Sequence, residues 1–182
     1  MFWNRFLNLL FWAAVLGMLG FMVGKYFFLK PRQIVGETAP VFSARLLEGD
    51  SFHLANLRGN IVLLDFWGSW CGPCRAENPA INRLLAEYGE TTFQDGARFK
   101  VVGIGIEEKE QSWKRAIDTD NLQWSYHVLD LATSLRFFDS PVAKKYGVRQ
   151  VPTKYLLNEK GKIIKVNPHA EAVEEYLKQN LR

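Results

Sequence analysis

The sequence predicts an α/β protein whose mixed β-sheet carries helices on both faces and is preceded by one membrane-spanning helix. Two observations lead to this fold class. Short apolar segments with strand character alternate with amphipathic helical segments over residues 37–182. A long uncharged segment stands before them, near the N-terminus. The 182 residues are enough for one well-packed domain and an appended segment.

The appended segment is predicted to be a membrane anchor. Residues 6–24 form a run of 19 residues without a charge. As a helix this run spans about 28 Å, close to the hydrocarbon thickness of about 30 Å. The run is long for a signal-peptide core and no small-residue cleavage site follows it, so residues 1–36 are expected to be an uncleaved anchor and its linker. Membrane lipid is therefore one expected partner.

Local patterns predict the elements of the domain that follows, residues 37–182. A β-hairpin with a glycine turn at residues 48–50 is expected first. The predicted strands are residues 61–67, 99–106, 124–129, 153–157 and 162–166. The predicted helices are residues 73–88 and 109–119, one that begins at Pro141, and a last one that begins at Pro168 with Asn167 as its N-cap and buries Val173, Tyr176 and Leu177.

The motif Cys71-Gly72-Pro73-Cys74 lies where the first buried strand gives way to a helix. These are the chain's two cysteines, so an intramolecular disulfide can join only this pair. A four-residue loop is stabilised by only about 2 kcal/mol, against about 4.7 kcal/mol for a hundred-residue loop. A closed zinc site needs four ligands, and the three histidines are not in paired spacing. The pair is predicted to be a redox centre without metal or other cofactor.

The two cysteines are predicted to have different roles. A thiol attacks a disulfide only as a thiolate, and the N-terminus of a helix favours that charge. Cys71 stands at this N-terminus and is the predicted nucleophile. Cys74, one turn into the helix, is predicted to resolve the mixed disulfide formed at Cys71.

Two carboxylates are candidates for the acid or base that serves Cys74. Asp65 lies in the apolar strand, where burial would raise its pKa; the alternative is a strand-end aspartate that bonds the backbone. Glu77 lies three residues after Cys74 on the same helical face; the alternative is an acid that complements the helix N-terminus. Trp70 is expected at the rim where a partner docks, whereas Trp67, Trp113 and Trp124 are expected in the core.

The charge pattern excludes one class of partner. The sequence holds 23 basic and 19 acidic residues, a formal net charge of +4, and the two signs are interleaved. Such a pattern describes a solvated surface, so no nucleic-acid binding is predicted.

The residues of the motif resemble the thioredoxin superfamily over residues 37–182. The similarity rests on Asp65-Phe-Trp, on Trp70-Cys-Gly-Pro-Cys, and on Pro79 five residues beyond the second cysteine. The run from Cys74 to Pro79, with the anchor and the leading hairpin, is similar to the membrane-tethered extracytoplasmic reductases of the TlpA and ResA kind. The 78 residues from Cys74 to Pro152 imply a central insertion, placed at residues 131–140.

The resemblance implies further site residues and partners. Val151-Pro152-Thr153 matches the cis-proline loop that faces the cysteines, so Val151 and Pro152 are expected to contact substrate, together with Trp70, Gly72 and Pro73. It also implies reduction of protein disulfides outside the cytoplasm, with cytochrome c maturation as one setting and apocytochrome c as one substrate. In an oxidising compartment a transmembrane thiol donor is then needed to recharge the protein.

Location and direction of reaction keep alternatives. Basic residues flank both sides of the anchor, at Arg5 and at Lys25, Lys30 and Arg32, so the positive-inside rule does not favour the expected extracytoplasmic domain. A disulfide-forming oxidase and a module that holds Cu(I) on the same two cysteines are the alternatives. A thiol peroxidase is disfavoured, because Gly68 stands where the peroxidase pattern has threonine.

Overall fold

The computed structural model describes residues 2–30, 33–136 and 138–181 of the chain. It divides into two compact units, Met1–Lys30 and Pro31–Arg182. The first unit is one helix, α1 (Phe2–Leu29), which is longer at both ends than the uncharged run. Within it, Arg5–Leu29 is long and apolar enough to cross a membrane, and its large apolar side chains are exposed. Length and composition therefore fit the predicted anchor.

The second unit is built on a five-stranded sheet. The strands are β1 (Ser43–Arg45), β2 (Ser51–His53), β3 (Ile61–Trp67), β4 (Phe99–Glu107), β5 (Tyr126–Leu131), β6 (Thr153–Leu157) and β7 (Ile163–Val166). The helices are α2 (Gly72–Tyr88), α3 (Glu110–Thr119), α4 (Pro141–Tyr146) and α5 (Ala170–Gln179). The sheet order is β5-β4-β3-β6-β7, with β1 and β2 paired separately as the predicted hairpin.

The sheet is mixed, as predicted. Strands β3, β4 and β5 run parallel, whereas β6 is antiparallel to β3 and β7 is antiparallel to β6. All seven residues of β3 are buried, because both faces of the sheet are covered. Parallel strands present their carboxyl ends at one edge, so the ends of β3, β4 and β5 lie together there.

The buried side chains form one cluster on each face of the sheet. On one face, Leu64 and Phe66 pack with the hairpin and with Tyr146 of α4. On the other face, Leu63 and Trp67 pack with α2, α3 and α5. The alternation of side chains along β3 produces this division, and the prediction of helices on both faces is confirmed.

The predicted start of the last helix needs correction. Helix α5 begins at Ala170 with His169 as its N-cap residue, not at Pro168 with Asn167. Asn167 takes a φ of 49°, a conformation asparagine tolerates, and exchanges backbone and side-chain hydrogen bonds with Lys154. It closes the β6–β7 pair and is therefore not available to cap the helix.

Two further differences concern the burial of Tyr176 and the position of the third strand. Val173 and Leu177 of α5 are buried as predicted, but Tyr176 is only half-buried. The third strand is β5, two residues later than the predicted 124–129, because Trp124 packs into the core before the strand begins. Trp67 and Trp113 are buried, as predicted.

Candidate active site

The two cysteines lie at the junction of β3 and α2. Cys71 is the N-cap residue of α2, with φ −90° and ψ 97°, and Pro73 occupies the first helical turn. The two cysteines form a disulfide, with their Cα atoms 5.3 Å apart. The backbone N–H of Cys74 donates to Cys71 Sγ at 3.2 Å. An amide at the helix N-terminus therefore points at the sulfur of Cys71, and this environment favours a thiolate.

The surroundings of the disulfide are mostly apolar and open on one side. Cys71 is only 5% exposed, and both cysteines belong to the cluster that contains Trp67. Gly72 and Pro73, between them, are exposed. Trp70 is 44% exposed beside Cys71. A partner can thus reach the disulfide over the surface formed by Trp70, Gly72 and Pro73.

Asp65 is buried in the middle of the sheet, beneath the start of α2. Burial raises its pKa to about 7; Lys154 opposes this rise and Glu77 adds to it. In the sheet, Asp65 is paired directly with Lys154 of β6 and, on its other side, with Gly103 of β4. A carboxyl group with this pKa can both accept and release a proton near neutral pH.

Lys154 is a functional candidate that the sequence analysis missed. It is only 7% exposed, and its Nζ forms an ion pair with the Glu77 carboxylate of α2. Asp65, Lys154 and Glu77 therefore form one charge cluster from three separate elements. A lysine inside a strand that is otherwise uncharged could have indicated this, because a lysine is rarely buried without a partner.

The charge cluster has a side facing solvent. A cleft of about 180 Å³ lies between α2 and α5, and Glu77, Lys154 and His169 contribute to its lining. Apolar side chains such as Leu63 and Leu84 line the remainder. Proton exchange between the cluster and solvent can take place through this cleft.

The loop before β6 has the geometry that the resemblance implies. The Val151–Pro152 peptide bond is cis. Val151 packs against the cluster that contains both cysteines, and Pro152 is half-buried. The Thr153 hydroxyl donates to the Gln150 carbonyl at 2.8 Å and closes the loop. Contact of Val151 and Pro152 with a substrate stays a prediction.

A second buried carboxylate was also missed. Glu107, the last residue of β4, is 2% exposed, and both of its carboxylate oxygens accept hydrogen bonds from Ser69. Burial raises the pKa of Glu107, and the bonds from Ser69 oppose that rise. Neighbouring residues in sequence gave no signal for this contact, because Ser69 and Glu107 meet only once β3 and β4 are paired.

The fold and the cysteine pair together define the class of this protein as thioredoxin-like. The family model described as AhpC/TSA family matches residues 35–166. The chain therefore belongs to the AhpC/TSA family. Its resemblance to the thioredoxin superfamily, predicted from the sequence, is confirmed.

Comparison with relatives identifies the reaction. The chain is 30% identical to the thiol-disulfide oxidoreductase ResA of Bacillus thuringiensis subsp. konkukian. The alignment of 167 residues covers 90% of this chain and 88% of the relative. It matches the thioredoxin domain of a Bacteroides vulgatus thiol-disulfide oxidoreductase with a TM-score of 0.68 and 26% identity, over 81% of this chain and 97% of that one. The protein is thus an enzyme of the thiol-disulfide oxidoreductase type.

A third comparison concerns a protein described as a putative thiol:disulfide interchange protein DsbE, from Chlorobium tepidum. The match has a TM-score of 0.65 and 26% identity, and covers 80% of this chain and 96% of that one. The similarity extends over nearly the whole of the solved relative.

Proposed function

We propose that this protein is a membrane-anchored reductase of protein disulfides outside the cytoplasm, with Cys71 as nucleophile and Cys74 as resolving thiol. The observation that carries the proposal is the position of Cys71 as the N-cap residue of α2, next to exposed Gly72 and Pro73. Cys74 lies one turn further into α2 and is as deeply buried as Cys71, so the assignment of the nucleophile rests on the helix N-terminus and not on accessibility. The apolar helix α1 supports the anchor.

Reduction proceeds in two exchanges. The Cys71 thiolate attacks one sulfur of the substrate disulfide, a Cys71–substrate disulfide forms, and the other substrate sulfur leaves as a thiolate and takes a proton. Cys74 then loses its proton and attacks Cys71 Sγ. The Cys71–Cys74 disulfide forms and the second substrate thiol is released, so the substrate gains two electrons and the protein dithiol loses two.

The deprotonation of Cys74 is assigned to Asp65. Its carboxyl group is buried on the same face of β3 as the cysteine cluster, and its pKa of about 7 suits proton transfer at neutral pH. Glu77 is assigned a supporting role through Lys154, because the ion pair between them sets the charge around Asp65. After the proton transfer, the proton leaves through the cleft between α2 and α5.

The proposed setting includes two partners. Protein disulfides are the substrates, and apocytochrome c is the one that the resemblance to the tethered reductases suggests. Because each cycle leaves the Cys71–Cys74 disulfide, a thiol donor that carries electrons across the membrane is the proposed reductant. The relatives' names support thiol-disulfide exchange, and the direction is the further step proposed here.

Trapping in the full-length, membrane-bound chain tests the assignment of the cysteines. Cys74→Ala should accumulate mixed disulfides with substrates through Cys71, seen as adducts on non-reducing gels and absent after reduction. Cys71→Ala is the matched control and should accumulate none. Adducts only in the Cys71→Ala variant, or adducts in neither, would contradict the assignment.

The reduction potential of the Cys71–Cys74 pair tests the direction. A value near about −270 mV, that of thioredoxin, supports a reductase. A value near about −120 mV, that of the oxidant DsbA, would make the protein a disulfide-forming oxidase. The potential is measured by equilibration of the protein with redox buffers of known composition.

A further inference from the structure

The carboxyl end of β4 holds the turn that leads into Cys71. The Ile106 carbonyl accepts the indole N–H of Trp70 at 2.9 Å. The Glu107 carboxylate accepts both donors of Ser69, the backbone N–H and the hydroxyl, the latter at 2.9 Å. The turn is thus fastened to β4 on both sides of the Ser69–Trp70 peptide bond. These two residues directly precede the nucleophile.

The same end of β4 also holds the segment that follows β5. The backbone N–H of Ala132 donates to the Glu107 carbonyl at 2.8 Å. The Phe138 ring then meets Trp70 edge-on, with ring centroids 6.2 Å apart. Phe138 takes a φ of 47°, a left-handed conformation that a bulky residue adopts only where its surroundings hold it. Phe138 thus completes the rim beside Trp70, on a segment whose start is bonded to the end of β4.

The chemistry of Glu107 suits a positioning role better than a purely structural one. Burying a carboxylate is costly, and a neutral acceptor such as glutamine could receive a backbone N–H with less loss of hydration. A carboxylate, in return, forms shorter and stronger hydrogen bonds than a neutral acceptor and can hold two donors at once. Here both donors come from one residue, Ser69, two positions before Cys71. The stronger bonds are thus concentrated on the turn that carries the rim.

We propose that Glu107 is a positioning residue for thiol-disulfide exchange: through Ser69 it holds Trp70 at the rim and so determines how a protein substrate docks against Cys71. The inference rests on the proposed function of the cysteine pair. A small disulfide reaches the Cys71 sulfur without lying on the rim, whereas a protein disulfide brings a surface that must lie against Trp70 and Phe138. Glu107 thus acts on the docking of proteins and not on the exchange of sulfur atoms.

The test compares a protein disulfide with a small one. With insulin as the protein disulfide, the full chain is assayed with dithiothreitol as reductant. With dithionitrobenzoate as the small disulfide, the chain is first reduced and freed of dithiothreitol, because dithiothreitol reduces this compound directly. Glu107→Met keeps the volume and removes both acceptors, and Ser69→Ala removes only the hydroxyl. For insulin, KM should rise about tenfold in Glu107→Met, the loss expected for hydrogen bonds to a charged group, and less in Ser69→Ala. The kcat values and the rate with dithionitrobenzoate should change little.

Three further variants serve as controls. Ser69→Thr keeps the hydroxyl and should restore the KM for insulin. Trp70→Ala removes the positioned side chain and should reproduce the rise in KM. Asn158→Ala removes an acceptor of two backbone N–H groups in the β6–β7 turn, at the opposite end of the sheet, and controls for a general loss of stability. If Glu107→Met does not fold, Ser69→Ala and its rescue by threonine carry the test.

The outcomes separate this inference from the proposed function. A wild-type chain that reduces neither substrate contradicts the proposed function itself. An active wild type in which Glu107→Met and Ser69→Ala lower the rates with both substrates equally contradicts the positioning role, as does an unchanged KM for insulin. The same rise in KM in Asn158→Ala would also overturn it.

Discussion

At the scale of single residues, Lys154 is the positive charge that acts on the pKa of Asp65 beneath the disulfide. Buried Asp65 would otherwise be an isolated carboxyl group, and such a group is strongly driven to its neutral form. Lys154, its partner on the neighbouring strand, favours the carboxylate form of Asp65. Glu77 forms an ion pair with the same lysine and raises the pKa of Asp65. The protonation of Asp65 thus depends on three residues from three elements. Its pKa of about 7 is the balance of burial and Glu77, which raise it, against Lys154, which lowers it.

This balance predicts a pH-dependent stability for the oxidised protein. The folded pKa of Asp65 is raised from 3.8 to about 7, so the folded state binds the proton more tightly than the unfolded chain. The resulting stabilisation is fully present below about pH 4 and is lost as the pH rises through 7, on the order of 4 kcal/mol in all. Asp65→Asn should abolish this loss. Urea unfolding of the oxidised protein between pH 4 and 8 measures it.

Two variants make this pH prediction specific. Lys154→Met removes the opposing cation, so the folded pKa of Asp65 rises further and the loss of stability extends to higher pH. Asp50→Asn, at an exposed position in the hairpin turn, should leave the pH dependence of wild type unchanged. A wild-type profile identical to that of Asp65→Asn would show that Asp65 does not titrate in this range.

Residue-scale packing also explains the turn before Cys71. A Cβ atom at Gly68 would lie 2.6 Å from Trp70 Nε1, closer than real contacts allow. With Trp70 bonded to Ile106, the turn has no room for the threonine of the peroxidase pattern. Glycine at position 68 thus leaves room for the indole of Trp70 to reach the Ile106 carbonyl.

At the scale of elements, the sequence predicts best where a segment is determined by its own residues. Strand β3 and helix α2 could be predicted nearly to the residue, because a fully apolar run, a proline in the first turn and an apolar helical face act locally. The Lys154–Glu77 and Ser69–Glu107 contacts could not, because each joins elements far apart in sequence. The positions of the two cysteines could thus be predicted, and the charged residues packed around them could not.

Strand β4 supplies an element-scale prediction through its glycines. A Cβ atom at Gly103 would lie 2.5 Å from Trp124 Nε1, and one at Gly105 would lie 2.3 Å from Trp113 Nε1. Both tryptophans are buried against the strand and have little room to move. Gly103→Ala and Gly105→Ala should each lower the free energy of unfolding by about 1–3 kcal/mol, as overpacking does.

A matched control for the glycine variants exists at the other side of the site. A Cβ atom at Gly72 meets no other atom within 4 Å. Gly72→Ala should therefore leave the midpoint of urea unfolding nearly unchanged. If Gly103→Ala and Gly72→Ala behaved alike, the tryptophan packing against β4 would not be the reason for glycine in that strand.

At the scale of the whole molecule, the chain consists of an apolar helix and a compact domain that holds every candidate site residue. The domain buries two apolar clusters of its own, so its packing does not depend on α1. The apolar side chains of α1, by contrast, are exposed, and the helix is long and apolar enough to cross a membrane. This division is what the proposed function expects, with α1 as the anchor and the domain as the part that reacts.

The division predicts where the cysteines are accessible in a cell. A chain of residues 31–182 should be soluble and reduce dithionitrobenzoate as the full chain does, whereas the full chain should sediment with membranes.

In spheroplasts, a maleimide that cannot cross the membrane should label Cys71 of the full chain after mild reduction, because the domain is proposed to lie outside. The Cys71→Ala, Cys74→Ala double variant controls for other targets. Labelling that requires permeabilised cells would place the domain in the cytoplasm. Basic residues lie on both sides of the uncharged run of residues 6–24, so this measurement is the deciding one.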